Sequence, residues 1–364
     1  MNNIVSYAEE MLEPMTVREF GPVDSLILSW AAYIRWPQSL ERVRRFEGMR
    51  FGELFRAENF KEMFAGMWNE PDSRRLFTAM AASPRFRNMY VLGYSEQFDA
   101  KTEKQFSGVC FRLLPDLCYV AFRGTDSTLV GWKEDFNMAF QYPVPSQLAA
   151  AAYLTEAAGH CLGRLLVGGH SKGGNLAVYS AANCDPVIEA RIEGVYSHDG
   201  PGFLGEVLNS PEFKAISPKI HKTLPQSSLI GMLLEQQENY RIIQSDRLSL
   251  WQHDPFSWVV EGNDFHTIEH LTANARFWDQ TLNEWILSLT QAQRERFVDA
   301  LYGLLETNDI DTLAELRSGW TKNVPAIART FSHLDANTQY FLVKTVTALA
   351  GFGIKNLLPF TGSP

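Results

Sequence analysis

Over residues 1–80 the apolar positions follow a helical period: Val23 to Trp36 (VDSLILSWAAYIRW) mixes aliphatic and aromatic residues, and the basic, aromatic-rich FEGMRFGELFRAENF follows. The period then shortens. Tyr90 to Tyr94, Phe106 to Leu113 and Leu117 to Phe122 are rich in β-branched and aromatic residues between polar breaks, which predicts three strands. Farther on, the apolar run Leu165-Leu166-Val167 enters a glycine-rich turn, NLAVYSAA continues from Asn175 at helical spacing, and Ile192 to Ser197 forms a second apolar strand. Strand, helix, strand in that order implies parallel strands joined by a crossover helix. From about 265 to 355 the pattern is helical again, with a capping box from Thr290 to Gln293 and Pro325 near a helix start. The expected organisation is a helical lead-in over 1–80, an α/β core over 81–265 and a helical extension over 266–364, packed on one another without a low-complexity linker.

Composition narrows the class. With 364 residues, 45% hydrophobic and 21% charged, the chain can build a large core without covalent staples. Thirty-three basic against 42 acidic residues leave a net charge of −9, so no positive field draws in nucleic acid or an anionic membrane. Cys110, Cys118, Cys161 and Cys184 lack CxxC spacing and fall in segments read as buried strand or helix, which indicates neither a zinc site nor a disulfide framework. The N-terminal MNNIVSYAEEMLEPMTVREF carries acidic residues where a signal peptide needs a basic and then an apolar run, and no run of about 18 apolar residues follows. A cytoplasmic protein without stable membrane insertion is expected.

The chemistry centres on Gly169-His170-Ser171-Lys172-Gly173, which fits G-x-S-x-G directly after an apolar strand and directly before a helix. A chain that reverses from strand to helix in one tight turn holds the central residue in a strained conformation, and its neighbours must be small. The hydroxyl of Ser171 then stands at the C-terminal edge of the sheet, where the amide of Lys172, first in the helix, can donate to an oxyanion. The plain alternative is a glycine-rich turn with an incidental serine. A phosphate loop does not fit, because G-x-x-x-x-G-K-[ST] is absent. The expected architecture is the α/β-hydrolase fold, a mostly parallel central sheet flanked by helices, with helical N- and C-terminal additions. The second oxyanion donor belongs on a loop after an earlier strand, and Leu117 to Phe122 ends in Arg123-Gly124-Thr125-Asp126-Ser127.

Taken together, AFRGTDS with Trp132 and Asp135 beyond it, GGHSKGGNLA and VYSHDGPGF resemble the fungal-type or class 3 lipases over roughly residues 85–260, with the nearest likeness in a bacterial branch of that group. The resemblance implies that Thr125 supplies an oxyanion donor through its amide and hydroxyl; an ordinary turn residue is the bland reading. Arg123 reads as a structural ion-pair residue. Two departures stand out. Lys172 replaces a usual aliphatic residue, which predicts a more polar rim, and the D-x-V-P stretch that carries the lipase aspartate corresponds to Leu224-Pro225-Gln226-Ser227-Ser228-Leu229-Ile230, with no carboxylate.

A serine nucleophile needs a histidine base and a carboxylate to orient it. In this fold the histidine comes last, after the final strand. Tyr240 to Gln244 and Leu248 to Trp251 read as strands, so His253, held by Asp254-Pro255, is the chosen base, with His266 and His270 as second choices. Asp199 is the chosen acid, because it ends the strand after the nucleophile helix and Gly200-Pro201-Gly202 turns sharply there; Asp246 and Asp254 compete, and a merely turn-forming Asp199 is the bland reading. Leu129 to Phe140 and Leu229 to Leu234 are apolar stretches that either roof the site or simply pack on the sheet. The expected activity is hydrolysis of a carboxylic ester, on a small-molecule or lipid acyl substrate, through an acyl-enzyme, with no metal or organic cofactor. A non-catalytic scaffold retaining the fold, and a thioesterase or acyltransferase, are the alternatives.

Overall fold

The computed structural model describes residues 2–99, 101–125, 134, 137–138, 140–235, 239–272, 275, 284–307 and 338–340. Asn3 caps the first helix, its side chain accepting from the Val5 and Ser6 amides, and α1 spans Ile4–Glu10. Pro22 opens α2 (Pro22–Ala31), and Asp24 reaches back to the Gly21 amide at 2.9 Å. Asn69 caps α3 (Glu70–Ala82). The lead-in is mostly helical but includes the two-residue strand β1 (Met49–Arg50), which pairs antiparallel with the core.

The core sheet follows: β2 (Tyr90–Asp99), β3 (Lys104–Leu114), β4 (Leu117–Phe122), α4 (Pro145–His160), β5 (Arg164–His170), α5 (Lys172–Ala182), β6 (Ile192–His198), β7 (Ile220–Pro225) and β8 (Tyr240–Ile243). Beyond these lie a small hairpin of β9 (Val260–Glu261) and β10 (Asp264–Phe265), the edge strand β11 (Thr267–Ile268), and α6 (Gln291–Thr307). Nine strands form one sheet in the order β1-β2-β3-β4-β5-β6-β7-β8-β11. The run from β4 to β8 is parallel, while β1 to β4 and the β8–β11 pair are antiparallel, so the sheet is mixed where the sequence pattern indicated mostly parallel strands. This is an α/β architecture with a large sheet flanked by helices.

Every residue of β4 is buried, the signature of a strand covered on both faces. Leu117, Tyr119 and Ala121 enter one apolar cluster with α1, α2 and α3, while Cys118, Val120 and Phe122 enter another with α4 and α5. The period of two along the strand thus sorts side chains between two cores. The lead-in is fastened by a buried ion pair in which Arg85 Nη2 meets Asp24 Oδ2 at 2.6 Å, with further Arg85 bonds to the carbonyls of Glu13, Arg18 and Glu19. Deep in the sheet, His198 bridges Ser25 of α2 and Thr223 of β7 at 2.8 Å each, and Ser25 and Ser29 both meet the Tyr119 hydroxyl.

Two local expectations change. Leu248 to Trp251 is no strand: Ser249–His253 is a 3-10 turn, drawn in where Gln252 donates to the Arg247 carbonyl and its side-chain oxygen accepts from the Ser227 amide. And β7, whose polar His221 and Lys222 hide its strand period, completes the parallel run. At α6, the Gln293 side chain accepts from the Thr290 amide at 2.9 Å, the capping contact read from sequence. Pro325 and most of the expected extension beyond it fall outside the described residues. Among the described residues no helix is long and apolar enough to cross a membrane.

Candidate active site

Ser171 sits between β5 and α5 with φ 59° and ψ −136°, a conformation that L side chains rarely adopt. Two crowded glycines hold it there. A Cβ on Gly173 would stand 2.1 Å from the Phe122 carbonyl oxygen, and one on Gly124 would meet the Tyr33 hydroxyl at 2.2 Å and the Ser171 Cβ at 2.9 Å. The loop after β4 therefore lies directly against the turn. The Ser171 amide bonds to the His198 carbonyl at 2.9 Å, which pins the turn to β6.

On the neighbouring strand end, Asp199 is fully buried with φ 51°, and its amide bonds to the Thr223 carbonyl at 2.8 Å. Its Oδ2 lies 2.6 Å from His253 Nδ1. A carboxylate oxygen only accepts, so Nδ1 carries the proton and the lone pair falls on Nε2. The other carboxylate oxygen, Oδ1, accepts a short bond from the Ser228 hydroxyl. Ser228 belongs to the very stretch, Leu224 to Ile230, that lacks a carboxylate. Asp199 thus stands at the end of β6, and the loop after β7 contributes a hydroxyl that orients its carboxylate. Gly231 closes over this contact, since a Cβ there would stand 2.3 Å from Asp199 Oδ1. On β7, burial pushes Lys222 down to about 7, against the opposing pull of the Asp199 carboxylate.

His170 is a residue the sequence pattern passed over as the variable position of G-x-S-x-G. Its ring lies 4.5 Å from that of His253, and its Nε2 is 2.8 Å from the His253 carbonyl, which can only accept. The proton is thus on Nε2, and Nδ1 accepts from the Tyr33 hydroxyl at 3.2 Å. Burial, then the nearby His253 and His198, hold the His170 pKa well below the usual histidine value, so the ring is neutral. It acts as a brace for the loop carrying His253.

Ser171, His253 and Thr125 line one cavity of about 330 Å³. Its apolar walls include Trp30, Met67, Trp68, Trp251 and Phe256, and Trp68 and Trp251 meet edge to face at 6.1 Å. Much of the wall comes from the lead-in, which periodicity alone did not connect with the site. The two apolar stretches considered as roofs behave otherwise. Ile230, Met232 and Leu234 are buried and do not line the cavity, and most of Leu129 to Phe140, with Trp132 and Asp135, lies outside the described residues.

Lys172 corrects an expectation. Its side chain does not make the rim polar: it is fully buried and points inward, with Nζ 2.9 Å from Glu134 Oε2 and 2.8 Å from the Gln105 carbonyl. Glu134 also accepts from the amides of Gln105 and Ser146, so the pair joins the turn, β3 and the start of α4. The Lys172 amide, first in α5, has no partner within its own helix. Arg123 pairs with Glu96 at 2.8 Å, in keeping with its structural reading. Of the remaining candidates, Asp254 also lines the cavity. Asp254 pairs with Arg247 and caps the Pro255 turn; Asp246 is exposed; His266 pairs with Glu261 at 2.9 Å; and His270 is exposed beside Glu269.

The family described as Mbeg1-like matches residues 80–303, more than half of the chain, including the strand-to-helix turn and the elements carrying Thr125, Asp199 and His253. No curated protein and no solved structure matches the chain.

Proposed function

Since this chain belongs to the Mbeg1-like family, and that match spans Thr125, Ser171, Asp199 and His253, we propose that it is a lipase-like serine hydrolase of the α/β-hydrolase type. The proposed reaction is cleavage of a carboxylic ester through an acyl-enzyme. The observation that carries this reading is the His253–Asp199 hydrogen bond beside a positive-φ serine that opens into the same cavity as the imidazole.

In this mechanism His253 Nε2 takes the Ser171 proton as Oγ attacks the substrate carbonyl. The amides of Lys172 and Thr125 donate to the oxyanion, a contribution worth about 3–4 kcal/mol per donor in related chemistry. Asp199 stabilises the imidazolium that forms. His253 then protonates the departing alcohol, and on the return step it removes a proton from the water that attacks the acyl-enzyme. The aromatic walls suit an apolar acyl group, with the ester carbonyl at the Ser171 end.

A fluorophosphonate probe tests this directly. The wild type takes up one label and turns over p-nitrophenyl butyrate, while Ser171→Ala remains folded and does neither. A folded wild type that is neither labelled nor active would overturn the proposal in favour of a binding scaffold. Product analysis with an added alcohol or thioester separates hydrolysis from acyl transfer.

A further inference from the structure

The fold brings together three cysteines that are scattered along the chain. Cys110 on β3, Cys118 on β4 and Cys161 at the C-cap of α4 have sulfurs all within 4.8 Å of one another, with the Cys110 and Cys161 sulfurs 3.3 Å apart. The sheet register explains the first two. Cys110 pairs with Val120 and Arg112 with Cys118, so all four side chains share the face on which α4 packs. The three cysteines are 0–1% exposed. A core asks only for small apolar residues at such places; it does not ask that three sulfurs converge on one point.

We propose that Cys110, Cys118 and Cys161 bind one soft, thiol-seeking cation, with monovalent copper the ion whose chemistry fits the donor set. Sulfur is the only donor type in the cluster, since no imidazole or carboxylate among the described residues joins it. Thiolates select soft ions. Structural zinc takes four protein ligands, and a catalytic zinc completes its shell with water, which this apolar surrounding does not supply. Monovalent copper is satisfied by three sulfurs. Each thiol gives up its proton to solvent as its sulfur bonds the ion, so one Cu(I) and three thiols yield a tris-thiolate carrying two negative charges and three released protons, with no electron transferred. Arg112, cross-strand partner of Cys118, places a guanidinium at the edge of the cluster, where it donates to the His160 carbonyl at 3.4 Å. The cluster lies close under the surface: Leu162, next to Cys161, is 79% exposed, and Gly163 turns the chain with φ 86°.

The test is an anaerobic titration of the full chain with tetrakis(acetonitrile)copper(I) against the chelator bathocuproine disulfonate. Support is one equivalent retained against the chelator, with three sulfur neighbours by X-ray absorption. Cys118→Val, close in volume, and Cys161→Ala, at a helix end, should each lower affinity by at least about tenfold, the scale lost when even an outer partner of a metal site is removed. Cys184→Ser, outside the cluster, should leave affinity unchanged. Circular dichroism melts establish that each variant is folded. Complete stripping of copper from folded wild type, undiminished affinity in folded Cys118→Val, or zinc held as tightly as copper would overturn the assignment. None of these readouts involves hydrolysis, so the proposal stands or falls apart from the hydrolase reading.

Discussion

Asp199 receives two hydrogen bonds at once, one from a ring nitrogen and one from a hydroxyl, and each fixes a different oxygen. Loss of the charge should disturb the imidazole tautomer more than the packing. Asp199→Asn is therefore expected to lower kcat by about 10⁴ while the melting temperature stays near that of wild type, measured with a soluble ester and a thermal melt; near-normal turnover would count against the role. Ser228→Ala should have a milder effect in the same direction. At Lys172 the expectation concerns stability. Removing one member of a buried pair strands the other, at about 3–5 kcal/mol, so Lys172→Met and Glu134→Gln should each lower the urea midpoint sharply, and the Lys172→Met/Glu134→Gln double variant should lose less than the sum of the two. Additive effects would show that the two groups do not depend on each other. At this scale Ser171 and Asp199 were legible because each ends a strand beside glycine. His170 and Ser228 were not, because a brace or an orienting hydroxyl follows no spacing rule, and the inward course of Lys172 is set by Glu134, 38 residues away.

Secondary-structure elements here are cross-linked by neutral histidines. Burial, with a further push from His221, holds His198 down to about 3 from an ordinary 6.5, and His170 is likewise displaced downward. The unfolded chain therefore binds protons that the native chain refuses between those values. The associated stability is complete above about pH 6.5 and drains away as pH falls, at about 1.4 kcal/mol per pH unit for each histidine. Urea unfolding at pH 7.5, 6 and 5 should show this slope before carboxylates begin to titrate, and a flat profile would contradict neutral burial. The strands themselves were largely readable: β4 runs from Leu117 to Phe122 as its composition indicated, and β2 and β3 extend beyond their apolar centres. The 3-10 turn at Ser249–His253 was hidden because a short apolar-rich run such as Leu248-Ser249-Leu250-Trp251 looks the same whether it pairs with a strand or curls. What decides is the Gln252 side chain, which donates to the Arg247 carbonyl in its own loop and accepts from the Ser227 amide in the loop after β7.

For the whole molecule, the cavity depends on parts distant in sequence. Trp68 of the lead-in and Trp251 of the final loop meet across it. Trp68→Ala should remove apolar contact from the far end of an acyl chain, lowering kcat/KM for an octanoyl ester by roughly tenfold, about 1.4 kcal/mol, while leaving an acetyl ester nearly unaffected. Equal losses on both esters would place Trp68 away from the chain-binding wall. The α/β layering could be inferred from the alternation of strand and helix, whereas the convergence of residues 30–73 on the site could not, because periodicity says which face is buried and not what it is buried against.

That wall has a consequence for how such a protein can change. Trp30, Tyr33, Met67 and Trp68 precede residue 80, where the family match begins, whereas Ser171, Asp199 and His253 lie inside it. On the proposed function, much of the wall that would select a substrate is thus written apart from the residues that would react with it, with Trp251 and Phe256 the part of the wall that falls inside the match. If the proposed hydrolysis holds, grafting a different first seventy residues onto this core would admit different guests to the same chemistry, provided the graft kept the Asp24–Arg85 clasp that seats it.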